Sequence, residues 1–169
     1  MARPPIVCVC GKKNSGKTTL LEKLIAALTR RGLAVATIKH DRHGFDIDHE
    51  GKDTWRHKRA GAVATLISGP DRIGLVRDLP DGEMSLEQIC GLLGDGIELV
   101  LAEGFKRSAL PKVEVVRAER SREAICGPDD QLLALVTDVE GLDLGVPRFG
   151  LDEVEPLADL LAARAGERG

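Results

Sequence analysis

The chain has 169 residues and a formal net charge of −3, with 43% hydrophobic and 30% charged residues, an ordinary globular composition in the size range of one domain. The acidic balance argues against broad nucleic-acid binding, and one Trp, three Phe and no Tyr cannot build a base-stacking platform. No apolar run approaches the length of a membrane span, and the first ten residues, "MARPPIVCVC", do not read as a signal peptide. The chain is therefore expected to be cytoplasmic, with no membrane and no nucleic-acid partner.

Ile6 to Cys10 is a compact apolar run that reads as a central parallel strand. From Lys17 to Arg31 the residues Leu20, Leu21, Leu24, Ile25 and Leu28 recur at helical spacing, and Gly32 ends the segment. Leu33 to Ile38 reads as a second strand, followed by the polar stretch "KHDRHGFDIDHEGKD" and a helix from about Lys52 to Ala60. Ala62 to Ile67 and Arg72 to Leu79, separated by "SGPD", read as an antiparallel hairpin. Ser85 and Gln88 form a capping-box pattern opening a helix that runs to about Leu93. Glu98 to Ala102 is another buried strand, Val113 to Val116 and Leu132 to Val136 add two more strands, and Asp152 to Ala163 is a closing amphipathic helix. Strands alternating with helices imply a single α/β domain over residues 1–169, a P-loop NTPase-like three-layer fold with a mostly parallel sheet and an inserted β-hairpin.

The chemistry concentrates in "GKKNSGKTTL". Gly11, Gly16, Lys17 and Thr18 satisfy G-x-x-x-x-G-K-[ST], after a strand and at the start of a helix, where the motif must stand. Glycines let the backbone wrap closely, so N–H groups of the loop, Asn14 and Ser15 included, face phosphate oxygens. The helix N-terminus, to which Thr19 belongs, adds partial positive charge, Lys17 reaches the outer phosphates, and the Thr18 hydroxyl suits Mg²⁺. Such a site also needs an acidic residue at a neighbouring strand end, and Glu103 stands there as the candidate metal-holding and catalytic carboxylate. Asp41, in "KHD" after the second strand, is the second candidate for metal and catalysis, with Lys39 and His40 beside it; a plain polar loop accounts for the same residues equally well. Asp138 after "LVT" offers a carboxylate that can accept from N1–H and the 2-amino group of guanine, which favours GTP over ATP. An Asn-Lys pair before it, usual in such loops, is absent.

Four cysteines (Cys8, Cys10, Cys90, Cys126) without any C-x-x-C pair read as buried free thiols of a reducing compartment. Cys8 and Cys10 are expected to face opposite ways and not to share a metal. The histidines His40, His43, His49 and His57 match no tetrahedral zinc spacing, so structural or substrate-contacting roles are expected of them.

The blocks "GKKNSGKTTLLEKLI", "KHDRHGFDIDHEGKDTWRHKRAGA" and "LVLAEGFKRSALPKVEVVR", with "LVTD" after them, resemble the molybdopterin-guanine dinucleotide biosynthesis adaptor protein B (MobB) family over most of the chain. The resemblance implies a GTP- and Mg²⁺-binding accessory protein, a weak GTPase at most, that assists a molybdenum cofactor guanylyltransferase in attaching GMP to molybdopterin. It further implies a homodimer with the hairpin at the subunit contact, and a ligand- or partner-facing loop that includes Lys39, His40 and Asp53, with Lys106 in "EGFK" near the site; direct binding of molybdopterin is left open. On the residues alone an alternative stands beside it, a small P-loop kinase or ATP-dependent ligase in which Asp41 activates an acceptor held by Lys39 or Lys106.

Overall fold

The computed structural model describes residues 3–41, 43–127 and 129–166. The chain divides into two compact units, one formed by residues 1–40 and 93–169 and the other by 41–92.

The larger unit is built on six parallel strands: β1 (Ile6–Cys10), β2 (Val35–Lys39), β5 (Leu99–Glu103), β6 (Lys112–Val116), β7 (Leu132–Thr137) and β8 (Arg148–Phe149). Their spatial order is β2-β5-β1-β6-β7-β8, so β1 is central and the chain leaves it in both directions. Period-two alternation then divides the side chains between two faces. Val7, Val9, Leu99, Leu101, Val113, Val115, Ala134 and Val136 form one face, covered by α1 (Lys17–Arg30) and α4 (Val154–Gly166). Leu20, Leu24 and Leu28 of α1 meet Leu157 and Leu161 of α4 in this core. Each such leucine contributes about 1.5–3 kcal/mol relative to an exposed one. Lys23–Asp152 and Arg31–Glu155/Asp159 ion pairs flank that packing at the surface.

The opposite face has a different chemistry. Cys8, Cys10, Lys112 and Glu114 are buried there, with Val116, Leu135 and Val139 packing under Ala118, Ala124 and Leu142. The expectation that Cys8 and Cys10 face apart is corrected, because an interval of two along a strand returns a side chain to the same face. All four cysteines are free and buried, as expected. Lys112 is fully buried, its ammonium donating to the carbonyls of Ser108, Leu110 and Asp130. A register shift between Lys112 and Val113 on the β6–β7 ladder accompanies it.

The smaller unit contains α2 (Asp53–Arg59), the antiparallel pair β3 (Ala64–Ser68) and β4 (Ile73–Arg77), and α3 (Leu86–Cys90). Ser85 and Gln88 close both hydrogen bonds of the expected capping box. The short strand β8 carries no recognisable pattern in the sequence, since two residues cannot display a period. Among the described residues no helix is long and apolar enough to cross a membrane.

Candidate functional site

The carboxyl end of β1 opens directly into residues 11–16, and α1 starts at Lys17. Backbone conformation explains the glycines at this turn. Gly11 has φ +144° and Gly16 φ +93°, and Asn14 takes the left-handed region at +61°. At Gly11 space is as restrictive as torsion: a Cβ would collide with the Val115 carbonyl oxygen and lie 2.8 Å from Ser15 Oγ. At Gly16 a Cβ would meet open space, so there the torsion alone selects glycine.

The loop is equipped for an anion. Gly16, at the N-cap, offers no side-chain cap, and the first turn of α1 has no acidic residue. The N–H groups of that turn lack intrahelical acceptors, and the helix dipole points its positive end at the loop mouth. Ser15 Oγ is buried yet has no hydrogen-bond partner among the described residues, a costly state for a hydroxyl unless a ligand completes it. Lys17 Nζ donates to the carbonyls of Gly11 (3.2 Å) and Lys12 (2.9 Å), which sets the ammonium across the loop.

The carboxylate expected at a neighbouring strand end is there. Glu103 is the last residue of β5, in register with Val9 on one side and Lys39 on the other. Thr18 Oγ1 donates to Glu103 Oε1 at 3.4 Å. Two cis ligands of one octahedral Mg²⁺, each about 2.1 Å from the ion, stand roughly 3 Å apart, so this hydroxyl and carboxylate fit the ion. Gly104 follows at φ +108°, its N–H bonded to the Val9 carbonyl. His40 donates its backbone N–H to the Glu103 carbonyl and sets its ring against Phe105, centroids 5.1 Å apart. Lys39 and Lys106 are exposed.

Asp138 stands one residue beyond β7, exposed, with Oδ1 accepting from the Ala118 N–H at 2.6 Å. One oxygen thus ties the ends of β6 and β7 together, while Oδ2 makes no hydrogen bond among the described residues. Asp41 and Asp53 belong to the smaller unit. There Asp41 closes a turn by accepting from the His43 N–H, and Asp53 opens α2 with Arg56 3.9 Å away.

Sequence reasoning missed one part of the site. A cleft of about 210 Å³ adjoins the loop, lined by Ser15, Gly16, Thr19, Lys23, Arg117 and Asp152. Val136 and Leu151 are among its apolar lining residues. Arg117 directly follows β6, so the rule that ligands gather at the carboxyl edge of a parallel sheet points to it. Lys23 and Asp152 carry no sequence signal; they meet only because α1 packs on α4.

The family model described as "Molybdopterin guanine dinucleotide synthesis protein B" matches residues 6–138, which include the loop, Glu103 and Asp138. The chain belongs to the MobB family. The molybdopterin-guanine dinucleotide biosynthesis adapter protein of Escherichia coli K12 is 34% identical over 162 residues, covering 93% of this chain and 91% of that protein. Its counterpart in Haemophilus influenzae is 33% identical over 158 residues, covering 93% and 87%. The crystal structure of the MobB homolog from Bacillus stearothermophilus superposes with a TM-score of 0.69 at 29% identity, covering 96% of this chain and 99% of that one. The parallel sheet and small antiparallel hairpin are thus those of MobB.

Proposed function

We propose that the chain binds GTP with Mg²⁺ on residues 11–19 and serves in the cytoplasm as an accessory to the guanylyltransferase that attaches GMP to molybdopterin. The observation that carries this reading is the unpartnered Ser15 hydroxyl, buried beside an uncapped helix terminus and a glycine that tolerates no Cβ. Backbone N–H groups and Lys17 would hold the phosphates, and Thr18 with Glu103 the Mg²⁺, which when bound offsets phosphate charge. The cleft lined by Lys23, Arg117 and Asp152 is the proposed nucleoside site, and Asp138 the proposed contact to a guanine edge through Oδ2.

Hydrolysis is expected to be slow. The chain has two glutamines. Gln88 is committed to the Ser85 cap, and Gln131 precedes β7, at the end of that strand remote from the phosphate loop. Neither is a natural water-positioning group. Lys39, His40 and Lys106 of the larger unit are proposed to face the acceptor or the partner enzyme, and so, separately, are Asp41 and Asp53 of the smaller unit, with molybdopterin a candidate ligand.

Calorimetric titration with GTP and ATP, with and without Mg²⁺, tests the binding step. GTP binding that is strengthened by Mg²⁺ and abolished in Lys17→Ala is expected; unchanged affinity in Lys17→Ala would remove the loop from the site. The accessory role requires that the protein with GTP raise dinucleotide formation by active guanylyltransferase. Phosphate transfer from ATP to a small acceptor by the protein alone would favour a kinase instead.

A further inference from the structure

We propose that Cys10, Glu114 and Cys126 form a binding site for one thiophilic divalent cation of the zinc class, separate from the nucleotide's Mg²⁺. The three donors come from three segments: the end of β1, the middle of β6, and the irregular stretch after it. Cys10 and Glu114 are register partners on adjacent strands, so their side chains leave the sheet on the same face. Cys126 meets them from 116 residues away, its sulfur 3.3 Å from that of Cys10. The three donor atoms lie within 4.8 Å of one another. Zinc about 2.3 Å from two sulfurs in a tetrahedron sets them roughly 3.8 Å apart. Rotation of Cys126, which stands outside any helix or strand, supplies that difference.

Charge favours a cation here. Glu114 is 1% exposed. Its oxygens accept from the N–H groups of Ile125 (2.6 Å) and Cys126 (2.9 Å), which fixes Cys126 beside it and leaves each oxygen a lone pair. Among the described residues the carboxylate has no ion-pair partner. Two residues earlier on the same face, the ammonium of Lys112 has three carbonyls and Asp130 around it. The face therefore carries one buried cation that is fully matched and one buried carboxylate that is not. Two thiolates and a carboxylate suit zinc rather than magnesium or calcium, and three protein ligands leave a fourth position for water. Glu114 lines a narrow crevice together with Lys12, Ser15, Arg117 and Ser121.

The position gives the ion a role. Cys10 abuts Gly11, and the segment carrying Cys126 also carries Ser121 and Glu123, which hold Lys12 of the phosphate loop. A bound cation would tie the loop's first residues to that segment without touching nucleotide.

The test is cobalt(II) titration of the full chain, reduced with a phosphine and kept anaerobic. One cobalt per chain is expected, with a thiolate-to-cobalt charge-transfer band and the d–d bands of a tetrahedral site, both bleached by equimolar zinc. Zinc should also raise the melting temperature. Cys10→Ser and Cys126→Ser, each verified as folded by circular dichroism, should lose the charge-transfer band. Glu114→Gln should weaken zinc binding at least about tenfold, and Lys17→Ala should leave the band intact. No charge-transfer band at millimolar cobalt in the reduced, folded chain would overturn the proposal. So would a band undiminished in Cys126→Ser, whose residue at the margin of the core is the safer of the two to replace.

Discussion

Individual residues in this protein act through what they exclude or satisfy as much as through what they touch. Lys112 is the clearest case. A fully buried ammonium is costly, but three carbonyls and the nearby Asp130 compensate it and pin the segments on either side of β6. Lys112→Met leaves those acceptors without a donor, so a loss of about 3–5 kcal/mol is expected in urea unfolding; a loss below 1 kcal/mol would show that the carbonyls find water. Asp138 divides its two oxygens between the Ala118 N–H and the space beyond the strand ends. Asp138→Asn retains an acceptor for Ala118 but replaces the carboxylate that the proposed guanine contact requires with an amide. Preference for GTP over ATP should fall about tenfold or more, measured as the ratio of the two dissociation constants; an unaltered ratio removes Asp138 from base selection.

At the level of elements, the pairing of α1 with α4 combines an apolar interface with a charged margin. The Glu155 carboxyl is held below the usual glutamate range chiefly by its hydrogen bonds to Arg31, and Asp152 is likewise lowered by Lys23. Lowered carboxyl groups contribute stability at neutral pH and lose that contribution as pH falls through their depressed values. Glu155→Gln should therefore be less stable than the parent at pH 7, with the difference shrinking below the ordinary glutamate value of 4.5. Thermal melts across that range check it, and a gap that persists at acid pH would mean packing rather than charge. Both pairs are surface-exposed, so high salt should narrow the same gap.

For the molecule as a whole, the decisive feature is a small two-stranded sheet with apolar residues in solvent. Val63, Leu66, Ile67 and Ile73 are 58–75% exposed on or beside β3 and β4. A lone hairpin is marginal in water, and apolar side chains exposed on both of its faces, Leu66 and Ile73 on one and Ile67 on the other, mark it as an interaction surface. A second copy of the chain is the proposed occupant. Sedimentation equilibrium should give a dimer for the parent chain and a monomer for the Ile67→Glu, Ile73→Glu double variant, with circular dichroism unchanged. A parent that sediments as a monomer at every concentration would refute this assembly.

Local patterns determined most of the elements. A continuous apolar run names β1, 3.6-residue spacing names α1, the SGPD turn names the hairpin and the Ser85–Gln88 pair names the cap, all without any distant contact, and G-x-x-x-x-G-K-[ST] names the phosphate loop, because torsion and phosphate chemistry act within a few residues. Glu103 was legible for the same reason, as the charged end of an apolar run. Tertiary structure alone decided the order of the strands, the two-residue β8, the pairing of Thr18 with Glu103 and the Lys23–Asp152 lining of the cleft. It also brought Cys126 to Cys10 and placed Lys112 and Glu114 in the interior, a burial that the charges of that strand do not signal. Those features depend on which chain segments become neighbours, and that is set by burial summed over the whole sheet rather than by any window of sequence.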